Sequence, residues 1–123
     1  MTKKEIIYFD AGAFGGSGGN CELINGYLES NYMNEGVFAE RKKIKLDESK
    51  ILYFWKRIYE LNVWNWNKRY EDEMAMTDGY TWEVKLRNRD GQSKYSTGYE
   101  QFPKTFKEFV DELNKLFETK IAY

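Results

Sequence analysis

Apolar residues recur every three or four positions between Asp47 and Trp66, and this spacing predicts an amphipathic helix. The predicted stripe comprises Ile51, Leu52, Trp55, Ile58, Tyr59 and Leu61. Asp47 suits the N-cap, because its carboxylate can accept hydrogen bonds from the unpaired N–H groups of the first turn. Asn62 suits the left-handed position that ends a helix. The apolar residues after it, Val63, Trp64 and Trp66, predict that the chain folds back onto the core.

A second stripe predicts a closing helix near the end of the chain. Its apolar positions are Phe106, Phe109, Val110, Leu113, Leu116 and Phe117. Pro103 ends the preceding element, and Thr105 with Glu108 matches the spacing of a capping box. We expect the last residues, Glu118–Tyr123, to fray.

Period-two alternation and β-branched or aromatic runs predict strands elsewhere. The predicted strands are Glu5–Phe9, Cys21–Ile24, Tyr27–Met33, Val37–Leu46, Thr81–Arg87 and Ser93–Tyr99. Asn25-Gly26 is typical of a type I′ hairpin turn, whose two central residues need positive φ. Asn34-Glu35-Gly36 and Asp90-Gly91 predict two further turns. The charges in the middle of Val37–Leu46 favour an edge position for that strand.

Two stretches show no regular pattern. Ala11–Asn20 is rich in glycine and predicts a flexible turn or wide loop. Asn67–Gly79 is polar with little periodicity and predicts a plain connection. The order of elements, a β-meander, a helix, a hairpin and a helix, predicts an α+β two-layer sandwich in which two helices cover one face of an antiparallel sheet. We expect one domain over residues 1–123, with the other sheet face left to solvent or to a partner.

Composition excludes several classes of function. The chain has a net charge of −1 and no histidine. The balanced charge argues against a purely electrostatic nucleic-acid binder. The missing histidine removes Ser-His-Asp triads, Cys-His dyads and nearly all catalytic zinc sites. The single cysteine, Cys21, is expected to be a small buried hydrophobe. We expect a cytoplasmic protein that has no signal peptide and no membrane span. We expect no cofactor.

The segment Trp64–Tyr70 is the main candidate for recognition, because tryptophan, tyrosine and arginine are enriched at binding hot spots. The candidate partner-binding residues are Phe14, Trp64, Trp66, Arg69, Tyr70 and Tyr80. Burial of the two tryptophans in the core is the alternative interpretation. The expected partner is another protein. A nucleic-acid site that combines this segment with the basic residues 41–45 is a second hypothesis, although a charged edge strand explains those residues without a ligand.

Two other patterns point to ligands only weakly. Gly15–Gly19 has backbone N–H groups that can hold a phosphate, but it leads into a strand and lacks the lysine of a phosphate loop. A mobile structural loop, or one that contacts a partner, fits better. A third hypothesis is a metal-dependent enzyme that uses Asp10, Asp72 and Asp78. The alternative interpretation of the acidic residues is a solvated loop without a metal.

Several short motifs together resemble a known group of proteins. They are Phe14-Gly15-Gly16, Trp66 with Tyr70, Asp78-Gly79-x-x-Trp82, and Gly98-Tyr99 with Pro103. The chain resembles a group of small, mostly uncharacterised bacterial and phage proteins, and its element order is similar to that of emfourin-type inhibitors of thermolysin-like metalloproteases. The resemblance implies a fold and a non-enzymatic function. No inhibitor contact residue can be carried over position by position.

Overall fold

The computed structural model describes residues 4–13, 16–39, 41–71 and 79–122. Within them the strands are β1 (Ile6–Gly12), β2 (Gly18–Ile24), β3 (Tyr27–Asn34), β4 (Val37–Phe38), β5 (Lys42–Lys45), β6 (Arg69–Glu71), β7 (Thr81–Arg87) and β8 (Ser93–Tyr99). The helices are α1 (Glu48–Glu60) and α2 (Phe106–Phe117), with a short 3₁₀ turn at Val63–Asn65. No helix in these ranges combines the length and the apolar character needed to cross a membrane.

All these strands join one sheet in the order β4-β3-β2-β1-β7-β8-β6, and β5 also pairs with β3. Every pairing is antiparallel except that of β6 with β8. The inward side chains of the long strands pack with α1 and α2 in a single core. The predicted α+β two-layer sandwich is confirmed.

The first helix begins and ends where predicted, but its buried face differs. The Asp47 carboxylate accepts a hydrogen bond from the Lys50 N–H at 3.1 Å, and Asn62 has φ of 60°. Phe54, which was not predicted, is buried. Leu52 and Tyr59 are 51% and 76% exposed, so their assignment to the core stripe was wrong. Each directly follows a buried residue, Ile51 or Ile58. Because neighbouring residues are ~100° apart on a helix, both side chains are rotated away from the core.

The closing helix buries every predicted apolar position, but its ends differ from the prediction. Thr105 makes no side-chain capping bond, so the capping box was wrong. Its hydroxyl instead donates to the Leu61 carbonyl and accepts from the Trp66 indole, on either side of the 3₁₀ turn. Residues 118–122 of the tail are held against the core rather than frayed, because Ile121 is buried and its N–H donates to Asn114 Oδ1 at 2.9 Å. Tyr123 lies outside the described residues. Tertiary contacts override the local signal at both ends.

The glycine-rich loop is shorter than predicted. β1 continues to Gly12 and β2 begins at Gly18, so only residues 13–17 connect the two strands. An ideal Cβ at Gly18 would lie 2.2 Å from the Ala11 carbonyl oxygen. The glycine therefore permits a close approach of two backbones rather than a loose loop. The segment Arg69–Glu71, predicted as a connection, is also a strand.

The strand predicted at Val37–Leu46 is divided into β4 and β5, and both lie at the expected edge of the sheet. Met33 is opposite Phe38, whereas Leu28 is opposite Ile44. The register therefore shifts by one residue between the two pairings. A shift of one residue sends side chains to the other face of a sheet. Phe38 is 71% exposed for this reason, whereas Ile44 packs against the core.

Candidate interaction surface

In the described part of the chain, one face of the sheet carries no helix, and we call it the open face. Alternation along the strands places one set of side chains in the core and the other set here. The open face carries Tyr8, Asp10, Glu22, Tyr27, Glu29, Lys43, Arg69, Glu83, Lys85, Tyr95, Thr97 and Tyr99. Tyrosines and charged residues thus share this face.

The centre of the open face is a row that crosses three neighbouring strands. Tyr8 is opposite Lys85, and Lys85 is opposite Tyr95. The Lys85 ammonium lies 5.0 Å from the Tyr8 ring centroid and 6.0 Å from that of Tyr95. The Tyr95 hydroxyl donates to Glu83 Oε2 at 2.8 Å. The Lys85 ammonium thus lies within cation–π distance of both rings, and this attraction favours the observed arrangement.

The same arrangement recurs towards the β5 edge. The Lys43 ammonium lies 4.7 Å from the Tyr27 ring centroid. Arg41 Nε lies 3.1 Å from Glu29 Oε1. Cations at this edge are therefore already engaged by rings and carboxylates of the same surface.

Carboxylates concentrate around Tyr8. Burial raises the pKa of Tyr8, and the nearby Asp10, Glu83 and Glu22 raise it further, because a negative phenolate beside them is disfavoured. Asp10 is directly opposite Glu83, an unfavourable placement of like charges. The middle of the open face is consequently acidic.

Charged groups on both sides of Tyr95 affect the pKa of its hydroxyl. Its hydrogen bond to Glu83 is the main cause of a raised pKa, and Arg69 acts in the opposite direction. The phenol therefore stays protonated at neutral pH and acts as a hydrogen-bond donor. It lies between the Glu83 carboxylate and Arg69.

Glycines create a trough across one end of the open face. Gly12 and Gly18 lie side by side in the sheet and leave a gap between flanking side chains. Two depressions, of about 150 Å³ and about 310 Å³, share Asp10 as a lining residue. Phe38 lines the smaller one and Tyr99 the larger one. The trough is large enough to accept one or two protruding side chains.

Arg69 is the sequence-predicted candidate that the structure places on this face, opposite Thr97. Trp66 is only 6% exposed, and its indole N–H donates to Thr105 Oγ1 at 3.1 Å. Trp66 is therefore a core residue and cannot contact a partner in this conformation. Its burial supports the alternative interpretation, in which this tryptophan belongs to the core.

The other candidates lie apart from the open face. Tyr70 is half-buried against Trp82, with ring centroids 5.8 Å apart. Tyr80 is half-buried, and its hydroxyl donates to the Ala122 carbonyl at 3.0 Å. Trp64 stacks on a neighbouring tryptophan in the helical layer. Phe14 lies outside the described residues. The described candidates do not form one surface.

The two halves of the nucleic-acid hypothesis are also separated. β5 contains most of the basic residues 41–45, and β6 lies at the opposite edge of the sheet. Six strand spacings of ~4.8 Å put them about 29 Å apart. The acidic centre of the open face lies between them. The structure therefore does not assemble these residues into one continuous basic site.

The residues behind the two ligand hypotheses are likewise dispersed or not described. Asp10 is exposed on the open face, whereas Asp72 and Asp78 lie outside the described residues. The described part of the chain contains no cluster of three or more metal-binding side chains. In the glycine segment, Gly16 N–H donates to the Ala13 carbonyl at 3.0 Å. This N–H group is therefore already used within the segment and cannot at the same time donate to a phosphate. Gly15 lies outside the described residues.

Cys21 is fully buried in the sheet core as a free thiol. Burial strongly raises the pKa of this thiol, and Asp10 and Glu22 add to the effect. A thiol that keeps its proton is a poor nucleophile. Its placement agrees with the prediction of a small buried hydrophobe.

The open-face tyrosines were absent from the predicted site, although the sequence carries a signal for them. Tyr95 and Tyr99 share a parity in β8, and Tyr8 alternates with the buried Ile7 and Phe9 in β1. That parity separates core from surface within one strand. It does not indicate which strands become neighbours, so the row of Tyr8, Lys85 and Tyr95 requires the pairing order.

Comparison of the chain with protein-family models, with curated proteins and with solved structures gave no match. The resemblance to emfourin-type inhibitors therefore stays a prediction from short motifs and element order. The open face has to be interpreted from its own geometry and charge.

Proposed function

We propose that this protein is a small non-enzymatic binding module of the inhibitor, immunity or anti-defence type, and that it docks on another protein through the open face. The observation that carries the proposal is the row of Tyr8, Lys85 and Tyr95 on a sheet face that no helix among the described residues covers. Tyrosine and arginine are enriched at binding hot spots. Rigid aromatic rings contribute contact area at a small cost in conformational entropy.

The dimensions of the open face suit a modest interface. Its five long strands span about 24 Å at ~4.8 Å per strand, and seven residues extend about 23 Å along each strand. The product is roughly 550 Å², the same order as the ~800 Å² that one partner contributes to a standard interface. Edge strands and the glycine trough add to this area. Two proteins of ordinary size could form a specific complex here.

The composition supports a non-enzymatic role. The chain has no histidine, and its one thiol is buried and protonated. The resemblance to emfourin-type inhibitors implies the same class of function. A cytoplasmic location is part of the proposal, because a single free cysteine suits a reducing compartment.

The test uses matched pairs of exposed tyrosines in the two layers. The immobilised protein is used to capture partners from a lysate of its host, and captured proteins are quantified for each variant. Tyr27→Ala/Tyr95→Ala changes the open face, whereas Tyr53→Ala/Tyr59→Ala removes two exposed rings from α1. We expect a stoichiometric partner whose recovery falls at least tenfold with the open-face pair only. Equal recovery with both pairs, or no stoichiometric partner at all, would count against the proposal.

Nucleic-acid binding and metal-dependent catalysis have less support. Arg41 is paired with Glu29, and Lys43 lies over Tyr27, so a phosphate would have to compete with these contacts for the two cations. Oligonucleotide binding that weakens steeply with salt would favour nucleic acid. A rise in melting temperature with Mg²⁺, Mn²⁺ or Ca²⁺ would favour the metal.

A further inference from the structure

A further depression lies in the helical layer, away from the two on the open face. It has a volume of about 370 Å³, within the range of small-molecule sites. Its lining residues come from the end of α1, the 3₁₀ turn and the β7–β8 turn. They are Tyr59, Glu60, Asn62, Trp64, Asn65 and Gln92, and we call this depression the amide pocket.

The aromatic side of the amide pocket is supported from behind. Trp64 stacks on Trp55, with ring centroids 6.0 Å apart and planes inclined by 21°. The Trp55 indole N–H donates to Glu5 Oε2 at 2.6 Å, and Arg89 Nε donates to the other oxygen of Glu5 at 3.1 Å. Glu5 thereby fixes Trp55, and Trp55 fixes Trp64. The half-buried Trp64 ring is a rigid platform before any ligand binds.

The polar side consists of three amides, each with a donor and an acceptor. Asn62 ends α1 in the left-handed conformation. Asn65 Nδ2 donates to Asn62 Oδ1 at 2.5 Å, which orients both amides. The remaining side-chain polar atoms of the two asparagines, Asn62 Nδ2 and Asn65 Oδ1, have no hydrogen-bond partner among the described residues, and neither does the side-chain amide of Gln92. Donors and acceptors are therefore available beside the ring.

The electrostatics of the amide pocket favour a neutral ligand. None of the six lining side chains is cationic, which disfavours phosphates and carboxylates. The single carboxylate, Glu60, is engaged by Arg57 at 3.0 Å. The pocket thus offers an aromatic face and amide groups without a free charge.

We propose that the amide pocket binds a neutral saccharide. A sugar ring has an apolar C–H face, which packs on an indole, and neighbouring hydroxyls that donate and accept at once. The ring stacks on Trp64, and its hydroxyls exchange hydrogen bonds with Asn62, Asn65 and Gln92. The exposed ring of Tyr59 forms the outer wall. This activity is independent of docking through the open face.

The test is an NMR titration of the ¹⁵N-labelled protein with cellobiose, maltotriose and di-N-acetylchitobiose, with adenosine and inorganic phosphate as comparison ligands. We expect saturable shifts of the Trp64 indole N–H and of the side-chain amides for at least one sugar. Asn65→Ala, at an exposed position, should weaken binding about tenfold through the lost hydrogen bonds. Trp64→Ala should abolish it, and Leu52→Ala, exposed elsewhere on α1, should leave it unchanged.

Every other outcome overturns the proposal. Absence of saturable shifts with all three sugars shows that the pocket is not a saccharide site. Shifts that persist in Asn65→Ala and Trp64→Ala place the binding elsewhere. Tighter binding of adenosine or phosphate than of any sugar replaces the proposed ligand class.

Discussion

The indole of Trp82 lies directly over Gly98 on the neighbouring strand. The two residues are opposite each other in the β7–β8 pairing, and an ideal Cβ at Gly98 would be 2.1 Å from Trp82 Nε1. Because that nitrogen also donates to the Gln101 carbonyl at 2.9 Å, the indole has little freedom to move. We expect Gly98→Ala to lower the free energy of unfolding by about 1–3 kcal/mol, as overpacking of a core does. Urea denaturation followed by tryptophan fluorescence measures this loss.

Gly12→Ala is the matched control. It adds the same methyl group to a strand of the same sheet, where the nearest atoms would be 3.8 Å away. The control should stay within about 0.5 kcal/mol of wild type. Equal losses for the two substitutions would show that glycine is needed for the strand backbone rather than for the Trp82 ring.

The hydroxyl of Thr105 joins α2 to the segment that follows α1. It donates to the Leu61 carbonyl at 2.8 Å and accepts from the Trp66 indole at 3.1 Å. Thr105→Val removes both bonds and leaves two groups without partners, so we expect a loss of about 1–3 kcal/mol in the free energy of unfolding. Thr105→Ser keeps the hydroxyl and should lose less than half as much. A valine variant as stable as the serine variant would contradict this role.

The C-terminal tail contributes to the core although its sequence is short and polar. Ile121 is buried, and its backbone is held through two hydrogen bonds with the Asn114 side chain. Ile121→Ala should lower the free energy of unfolding by about 2–5 kcal/mol. Leu52→Ala, which truncates a half-exposed side chain on α1, should change it by less than about 0.5 kcal/mol. Thermal denaturation of the two variants compares them, and a tail that frays would give equally small effects.

Burial of Cys21 makes stability depend on pH on the alkaline side. The folded protein keeps the thiol proton above the ordinary pKa near 9.0, whereas the unfolded chain releases it. The unfolded state therefore binds fewer protons, and stability falls as the pH rises above that value. We expect an extra loss of up to about 1.4 kcal/mol per pH unit in wild type relative to Cys21→Ala. Urea midpoints between pH 7.5 and 10.5 measure the two slopes, and parallel slopes would contradict the prediction.

Sequence periodicity predicted the elements whose signals are local. α2 and β7 satisfy their own periods, and each predicted apolar position in them is buried. The Asn25-Gly26 turn needs only its own positive φ values, which it has. α1 was predicted with correct ends, but its apolar residues extend around more of the helix than the core covers. Tyr59 is apolar enough to join the stripe, yet no element lies above it.

The remaining differences arise from contacts between distant parts of the chain. β6 is too short to show a period, and it exists because β8 offers an edge to pair with. Thr105 matches a capping box in spacing, but Leu61 and Trp66 approach it from another element. The composition of the open face depends on which strands are neighbours in the sheet. Short turns predict neighbours only for consecutive strands, and β1 and β7 are far apart in the sequence. Arg69 is therefore the one described partner-binding candidate that lies on that face, whereas Tyr8 and Tyr95 were not among the candidates.

The central claim, docking through the open face, is tested most directly by hydroxyl-radical footprinting of tyrosines in the purified complex with the captured partner. Tyr27 and Tyr95 report on the open face, whereas Tyr53 and Tyr59 report on the helical layer, and all four are exposed in the free protein. We predict that modification of Tyr27 and Tyr95 falls at least fivefold on binding, while Tyr53 and Tyr59 remain unchanged. Protection of Tyr53 and Tyr59 with unchanged Tyr27 and Tyr95 would contradict the claim.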